Sequence, residues 1–286
     1  MAASALPAAT SIGAVHLTVT DLDRAVAFYT QGFGFKLHGR EGDSARLGAG
    51  GADLLVLVGK PDAVKTRGTT GLYHFAVLVP SRPDLARALR QLIDRRVPLT
   101  GMSDHSVSES LYLSDPDGNG IEIYRDRPRA EWPVVGGRLA MTTDPLDVES
   151  LLAEREGSWA GLPPGTRIGH VHLHVSHLED SEPFYAGLLG FDLRQRFGRS
   201  ALFLAAGGYH HHIGLNTWVG VGASPPPPGS VGLRRFEIQL PDAATLDQLF
   251  ARVRRAGVAV SETPGGAEVI DPSGNRIRFP APAQSK

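Results

Sequence analysis

His16, His74 and Glu122 lie in IGAVHLTV, GLYHFAVLV and GNGIEIY, at matching ends of three strand-like stretches. Two imidazoles and one carboxylate that meet at a point make a facial ligand set. Such a set leaves coordination positions open and suits an Fe(II) that must take both a substrate and dioxygen. The same ligands accept Mn(II) or another divalent ion. Side-chain parity says that these residues can meet. If Val15, Leu17 and Val19 pack under a helix, His16 faces the opposite side of its strand. The same alternation turns His74 away from Phe75 and Val77, and Glu122 away from Ile121 and Ile123. Tyr112 turns away from Leu111 and Leu113, beside Glu122 across DPDGNG. A Tyr112 hydroxyl placed there can hydrogen-bond a metal-bound substrate hydroxyl. His105 can donate to, or shuttle a proton for, the oxygen species at the metal.

The elements that carry these residues repeat. IGAVHLTVTDLDRAVAFYTQGFGF at 12–35 aligns without gaps to IGHVHLHVSHLEDSEPFYAGLLGF at 168–191, which places His16 against His172. GLYHFAVLVP at 71–80 matches GLRRFEIQLP at 232–241, and SDPDGNGIEIY matches IDPSGNRIRFP. Such self-similarity marks the duplication of one supersecondary unit. Each unit reads strand, helix, then further strands. Leu22, Ala25, Val26 and Tyr29 follow helical spacing, with Asp21 as N-cap. Leu85, Ala88, Leu89 and Leu92 repeat the spacing, as do Leu246, Leu249, Phe250 and Val253. The sum is an α+β chain of four βαβββ modules in two tandem halves. Each half is expected to form a curved mixed-sheet cup with helices packed outside. Residues 1–126 make the first domain with the metal site, 127–166 a Pro- and Gly-rich connector, and 167–286 the second domain.

The stretch HSVSESLYLSDPDGNGIE, with His105, Leu111, Tyr112, Asp115, Pro116, Gly118 and Glu122, resembles the ring-cleavage signature of type I extradiol dioxygenases. These belong to the vicinal-oxygen-chelate superfamily, and the chain is most similar to its catechol 2,3-dioxygenase-like members. The resemblance covers roughly residues 12–280. It implies the four-module fold, an iron centre, and second-rank catalytic parts for His105 and Tyr112. It implies a small aromatic diol and dioxygen as substrates. Two-domain members draw an acid–base histidine from the strand that here reads DLLVLV at 53–58, which offers leucines. Proton transfer would then fall to His105 or to a residue from elsewhere. A glyoxalase-like lyase or isomerase is the alternative, and a non-catalytic ligand-binding or drug-sequestering protein of the same fold is another.

The second half is expected to lack the triad, because Arg235 and Arg278 occupy the places of His74 and Glu122. Its histidines offer a different candidate metal site, His172 with His210 and His212. Composition bounds the rest. The net charge of −1 at pH 7 suggests no nucleic-acid partner. No stretch approaches the ~18 apolar residues of a membrane span. There is no cysteine, hence no disulfide framework or thiolate site. The start MAASALPAATSIGAV lacks the pattern of a secretory leader. A cytoplasmic enzyme that can form a homo-oligomer is the expectation.

Overall fold

The computed structural model describes residues 5–154 and 157–282. The first module contains β1 (Ser11–Val19), α1 (Leu22–Ala27), β2 (Lys36–Glu41), β3 (Ser44–Gly48) and β4 (Asp53–Gly59). The second contains β5 (Gly71–Leu78), α2 (Arg82–Asp94), β6 (Leu99–Asp104), β7 (Ser108–Ser114) and β8 (Gly120–Asp126). Between the halves lie three two-residue strands, β9 (Val134–Val135), β10 (Arg138–Leu139) and β11 (Asp144–Pro145), and the short helix α3 (Val148–Ala153). The third module has β12 (Arg167–His174), α4 (Leu178–Glu182), β13 (Asp192–Phe197), β14 (Ala201–Ala205) and β15 (Ile213–Asn216). The fourth has β16 (Gly232–Gln239), α5 (Ala243–Arg255), β17 (Ser261–Thr263), β18 (Gly266–Ile270) and β19 (Arg276–Pro280).

Local chemistry explains the helix starts. Asp21, Ser81 and Asp242 have extended backbones, and their side chains accept from the N–H groups of Arg24, Asp84 and Thr245. The apolar positions at helical spacing face the sheets. Leu85, Ala88, Leu89 and Leu92 are buried in α2, and Leu246, Leu249, Phe250 and Val253 in α5. Under them lie the alternate strand residues Val15, Leu17, Val19, Phe75, Val77, Leu111, Leu113, Ile121 and Ile123, all buried. The parity expected for four strands therefore holds, and so does the α+β architecture of two tandem halves with curled mixed sheets.

Strand order adds what local pattern does not carry. Sheet 1 runs β17-β18-β19-β16-β1-β4-β3-β2, and sheet 2 runs β11-β6-β7-β8-β5-β12-β15-β14-β13. Each sheet thus joins one module from each half: the first with the fourth, the second with the third. The seam of sheet 1 is β1 antiparallel to β16, and His16 pairs with Arg235. The seam of sheet 2 is β12 antiparallel to β5, and His172 pairs with His74. The two modules of a half are tied through a tyrosine and a turn. Tyr29 Oη donates to Asp115 (3.1 Å), and Tyr185 Oη to Asp271 (2.9 Å). Each aspartate also accepts from the backbone N–H groups of its own DPxGN turn.

Candidate metal centre and active site

The β5–β12 seam brings ligand atoms together from both halves. Glu122 Oε2 lies 3.0 Å from His74 Nε2 and 3.1 Å from His170 Nε2. The two histidine nitrogens are 3.3 Å apart. All three residues are buried. Among the described residues, His74, Glu122 and His170 are the group of three whose donor atoms converge in this way. A divalent ion with bonds of ~2.1 Å holds such donors roughly 3.0–3.4 Å apart, from right-angled to tetrahedral geometry. The observed spacings fit. Protonation states fit as well. Burial pulls the Glu122 carboxyl up, but its electrostatic and hydrogen-bond contacts with His170 and His74 outweigh it and hold it well below the usual range. Burial takes His170 down to about 4, so it is a neutral base with a lone pair to give. Ser110 Oγ donates to the other Glu122 oxygen at 2.7 Å and fixes the carboxylate's orientation.

His16 is not part of this group, and the expected set of His16, His74 and Glu122 is corrected. His16 sits in sheet 1, with its Nε2 3.3 Å from Glu237 Oε1. The reason is the pairing of modules across the halves: β1 lies beside β16, whereas β5 lies beside β12. For the same reason the site is not contained in residues 1–126. The second-half candidate also fails to assemble. His172, His210 and His212 do not converge: His210 Nε2 is 2.8 Å from Asp126 Oδ1, and His212 Nδ1 accepts from Ala206 N–H at 3.1 Å. The candidate ligand that sequence reasoning missed is His170. Its signal was the run HVHLH, whose three histidines share one face of β12.

A cavity of about 620 Å³ opens over the centre, and both His105 and Tyr112 line it. Tyr112 stands directly across β7–β8 from Glu122, as the hairpin turn requires. The Thr142 carbonyl is 2.7 Å from His105 Nδ1 and can only accept, so the proton sits on Nδ1. His105 Nε2 is therefore an acceptor, and the Tyr112 hydroxyl donates to it at 2.7 Å. Burial and the neighbouring Glu122 carboxylate push the Tyr112 phenol well up, so it stays a hydroxyl.

The opposite wall carries His211. Asp126 accepts from His210 Nε2 at 2.8 Å. His210 Nδ1 and His211 Nδ1 are 2.8 Å apart, and with the proton of that contact on His211 its Nε2 carries the lone pair. Burial lowers the His211 pKa well below the ordinary value, which keeps that pair unprotonated. The strand after it, β15, pairs with β12 just as β4 pairs with β1. So the leucines of DLLVLV were the wrong strand to search for an acid–base group.

Two seams that pair four βαβββ modules across the halves, with three donors converging at one of them, define an α+β fold with a candidate metal centre. A family model of the Glyoxalase/Bleomycin resistance protein/Dioxygenase superfamily matches residues 11–123 and 167–279, and the chain belongs to this superfamily. It is 46% identical over 277 residues to the Catechol-2,3-dioxygenase of Bacillus subtilis (strain 168), covering 94% of this chain and 97% of that one. A shorter match, 34% over 103 residues, is to Biphenyl-2,3-diol 1,2-dioxygenase 3 of Rhodococcus globerulus, covering 35% of this chain and 54% of that one. Among solved structures, glyoxalase I from Zea mays shares the fold, with a TM-score of 0.58 at 19% identity over 96% of this chain and 92% of that one. Among the described residues, no helix is long and apolar enough to cross a membrane.

Proposed function

We propose that this protein is an Fe(II)-dependent extradiol dioxygenase that opens the ring of a catechol-type diol next to its hydroxyls. The observation that carries the proposal is the open set of His74, Glu122 and His170 under a cavity walled by Tyr112–His105 on one side and His211 on the other. The similarity to the Bacillus subtilis Catechol-2,3-dioxygenase supports it. Bound Fe(II) would supply a Lewis acid and a conduit through which the diol's own electrons reach dioxygen. The chain's own groups do the rest. Tyr112 presents a neutral hydroxyl beside Glu122, where it can orient a substrate oxygen. His105, held by the Thr142 carbonyl, fixes the direction of that hydroxyl and offers a path for its proton. His211 Nε2 is the lone pair placed to take a proton from the second diol hydroxyl. A cytoplasmic location and a homo-oligomeric state belong to the proposal, tested by cell fractionation and by light scattering.

The test is anaerobic loading with Fe(II), metal analysis, then addition of catechols and air. One metal per chain and a yellow ring-opened product are expected. An iron-loaded protein inert toward a broad catechol panel but active on a hemithioacetal would move the assignment to a glyoxalase-like lyase.

A further inference from the structure

His172 is a histidine of the cavity for which the ring-cleavage chemistry has no part. It is 3% exposed, and its Nε2 is buried without a hydrogen-bond partner among the described residues. Its ring is caged. Tyr73 and His74 lie 5.1 Å away centroid to centroid, Trp218 at 5.2 Å and Phe203 at 5.7 Å. Its neighbour on β15 is Gly214. A Cβ at Gly214 would come within 2.7 Å of the imidazole, so the absent side chain is the space the ring occupies. At the matching place of sheet 1, His16 lies beside Val56 instead, and its Nε2 is matched with Glu237. The same histidine is thus satisfied by the protein in one sheet and left unsatisfied in the cavity of the other. A buried, immobilised nitrogen without a partner is a cost to the free protein that a ligand can remove.

Its position says which part of a ligand would reach it. His172 is one pleat beyond His170, toward Tyr73 and Trp218, which are 40% and 46% exposed at the cavity rim. The metal-facing nitrogens of His74 and His170 lie on the inner side. A group that meets His172 is therefore carried by the ring rather than held at the metal. We propose that His172 is a specificity-determining residue whose Nε2 hydrogen-bonds a polar, oxygen-bearing substituent on the aromatic diol. The substrate class is then a catechol with a hydroxyl- or carbonyl-bearing side group rather than a purely hydrocarbon one. This rests on the diol reading of the site.

The deciding experiment uses a matched pair, hydroxymethylcatechol and ethylcatechol, each substituted at ring position 3 or 4. Binding to the metal-loaded full-length chain is measured calorimetrically without air, and kcat/KM with air. Wild type should favour the hydroxymethyl compound about five- to tenfold at one ring position, the value of one hydrogen bond. His172→Leu should reverse the preference while keeping its metal and losing no thermal stability. Equal affinity or a preference for ethyl in wild type at both positions overturns the proposal, and this arm needs no variant. A preference that survives in His172→Leu overturns it too. If the pair discriminates as expected but no ring opens, the specificity holds and the dioxygenase reading fails. If no catechol binds at all, both fall.

Discussion

The two seams of this molecule are built alike and filled differently. In sheet 2 the seam carries His170, His172, His74 and, on the flanking β8, Glu122. In sheet 1 the matching places hold Ala14, His16, Arg235 and, on β19, Arg278. In the first set, His74, His170 and Glu122 converge, with donor atoms 3.0–3.3 Å apart. The second set is a mixed-charge packing: Glu237 Oε1 lies 3.3 Å from His16 and 3.8 Å from the Arg278 guanidinium. Guanidinium stays protonated and cannot ligate a cation, so sheet 1 holds the geometry of the duplication without its chemistry. Duplication conserved what folding needs, the Tyr29–Asp115 and Tyr185–Asp271 ties and the DPxGN turns, and left the ligand positions free to diverge.

The largest difference between the seams should appear in a pair of alanine variants. His170→Ala removes a ligand, and we expect its iron content and its ring-cleavage rate to fall by more than ~10²-fold, beyond the usual effect of losing an outer partner. His16→Ala, at a histidine of the other seam, should retain full metal by elemental analysis and an unchanged rate. The reverse result would return the centre to the first half. Next in size is Tyr112→Phe. It deletes one hydroxyl that donates to His105 and faces the substrate, and should keep iron while turnover slows by ~10²-fold. An unchanged kcat would reduce Tyr112 to packing.

Much of sheet 2 was legible in the amino-acid sequence. His74, Glu122, Tyr112 and His105 follow from parity and from the spacing around DPDGNG, because those relations are local to one module. Asp21 as N-cap and the buried faces of α2 and α5 are local for the same reason. His170 was not reached, although its parity was plain, because choosing the third ligand needs to know which modules share a sheet. A gapless repeat pointed to His16, the counterpart of His172, and the repeat is correct. The error lay in assuming that the modules of one half pair with each other. Long-range strand pairing leaves no local trace. The complementary loss is a trace in hindsight: arginines at 235 and 278 in the fourth module, opposite a first module with Ala14 where the third has His170.

A smaller effect is expected of the carboxylate's support. Ser110 donates to Glu122 Oε1 in sheet 2, so Ser110→Ala should weaken iron affinity by about tenfold, in the range for removing an outer hydrogen bond to a ligand. Competition with a chelator measures this directly. An unaltered affinity would mean that packing alone orients Glu122.

The smallest effect concerns stability and pH. His172 pairs with Gly214 and His16 with Val56, an offset of 158 between β15 and β4 (214 − 56), so His212 matches Leu54 (212 − 158). Leu54 does not titrate. Burial, with His210 and His170 nearby, lowers the His212 pKa to about 3, and its Nδ1 lone pair accepts the Ala206 N–H. Below pH 6.5 the unfolded chain takes up a proton at His212 that the folded chain refuses until about 3. The unfolded state then binds more protons, so stability falls as pH drops through this window and is fully present above it. Between pH 7.5 and 5.5 this single group should account for about 1.3 kcal/mol of lost stability. His212→Gln can accept the same backbone bond without titrating. Urea unfolding at the two pH values should show a loss smaller by that amount in the variant. A loss equal to that of wild type would mean that His212 is charged or solvated in the folded protein, and the packing of the β14–β15 loop would need revision.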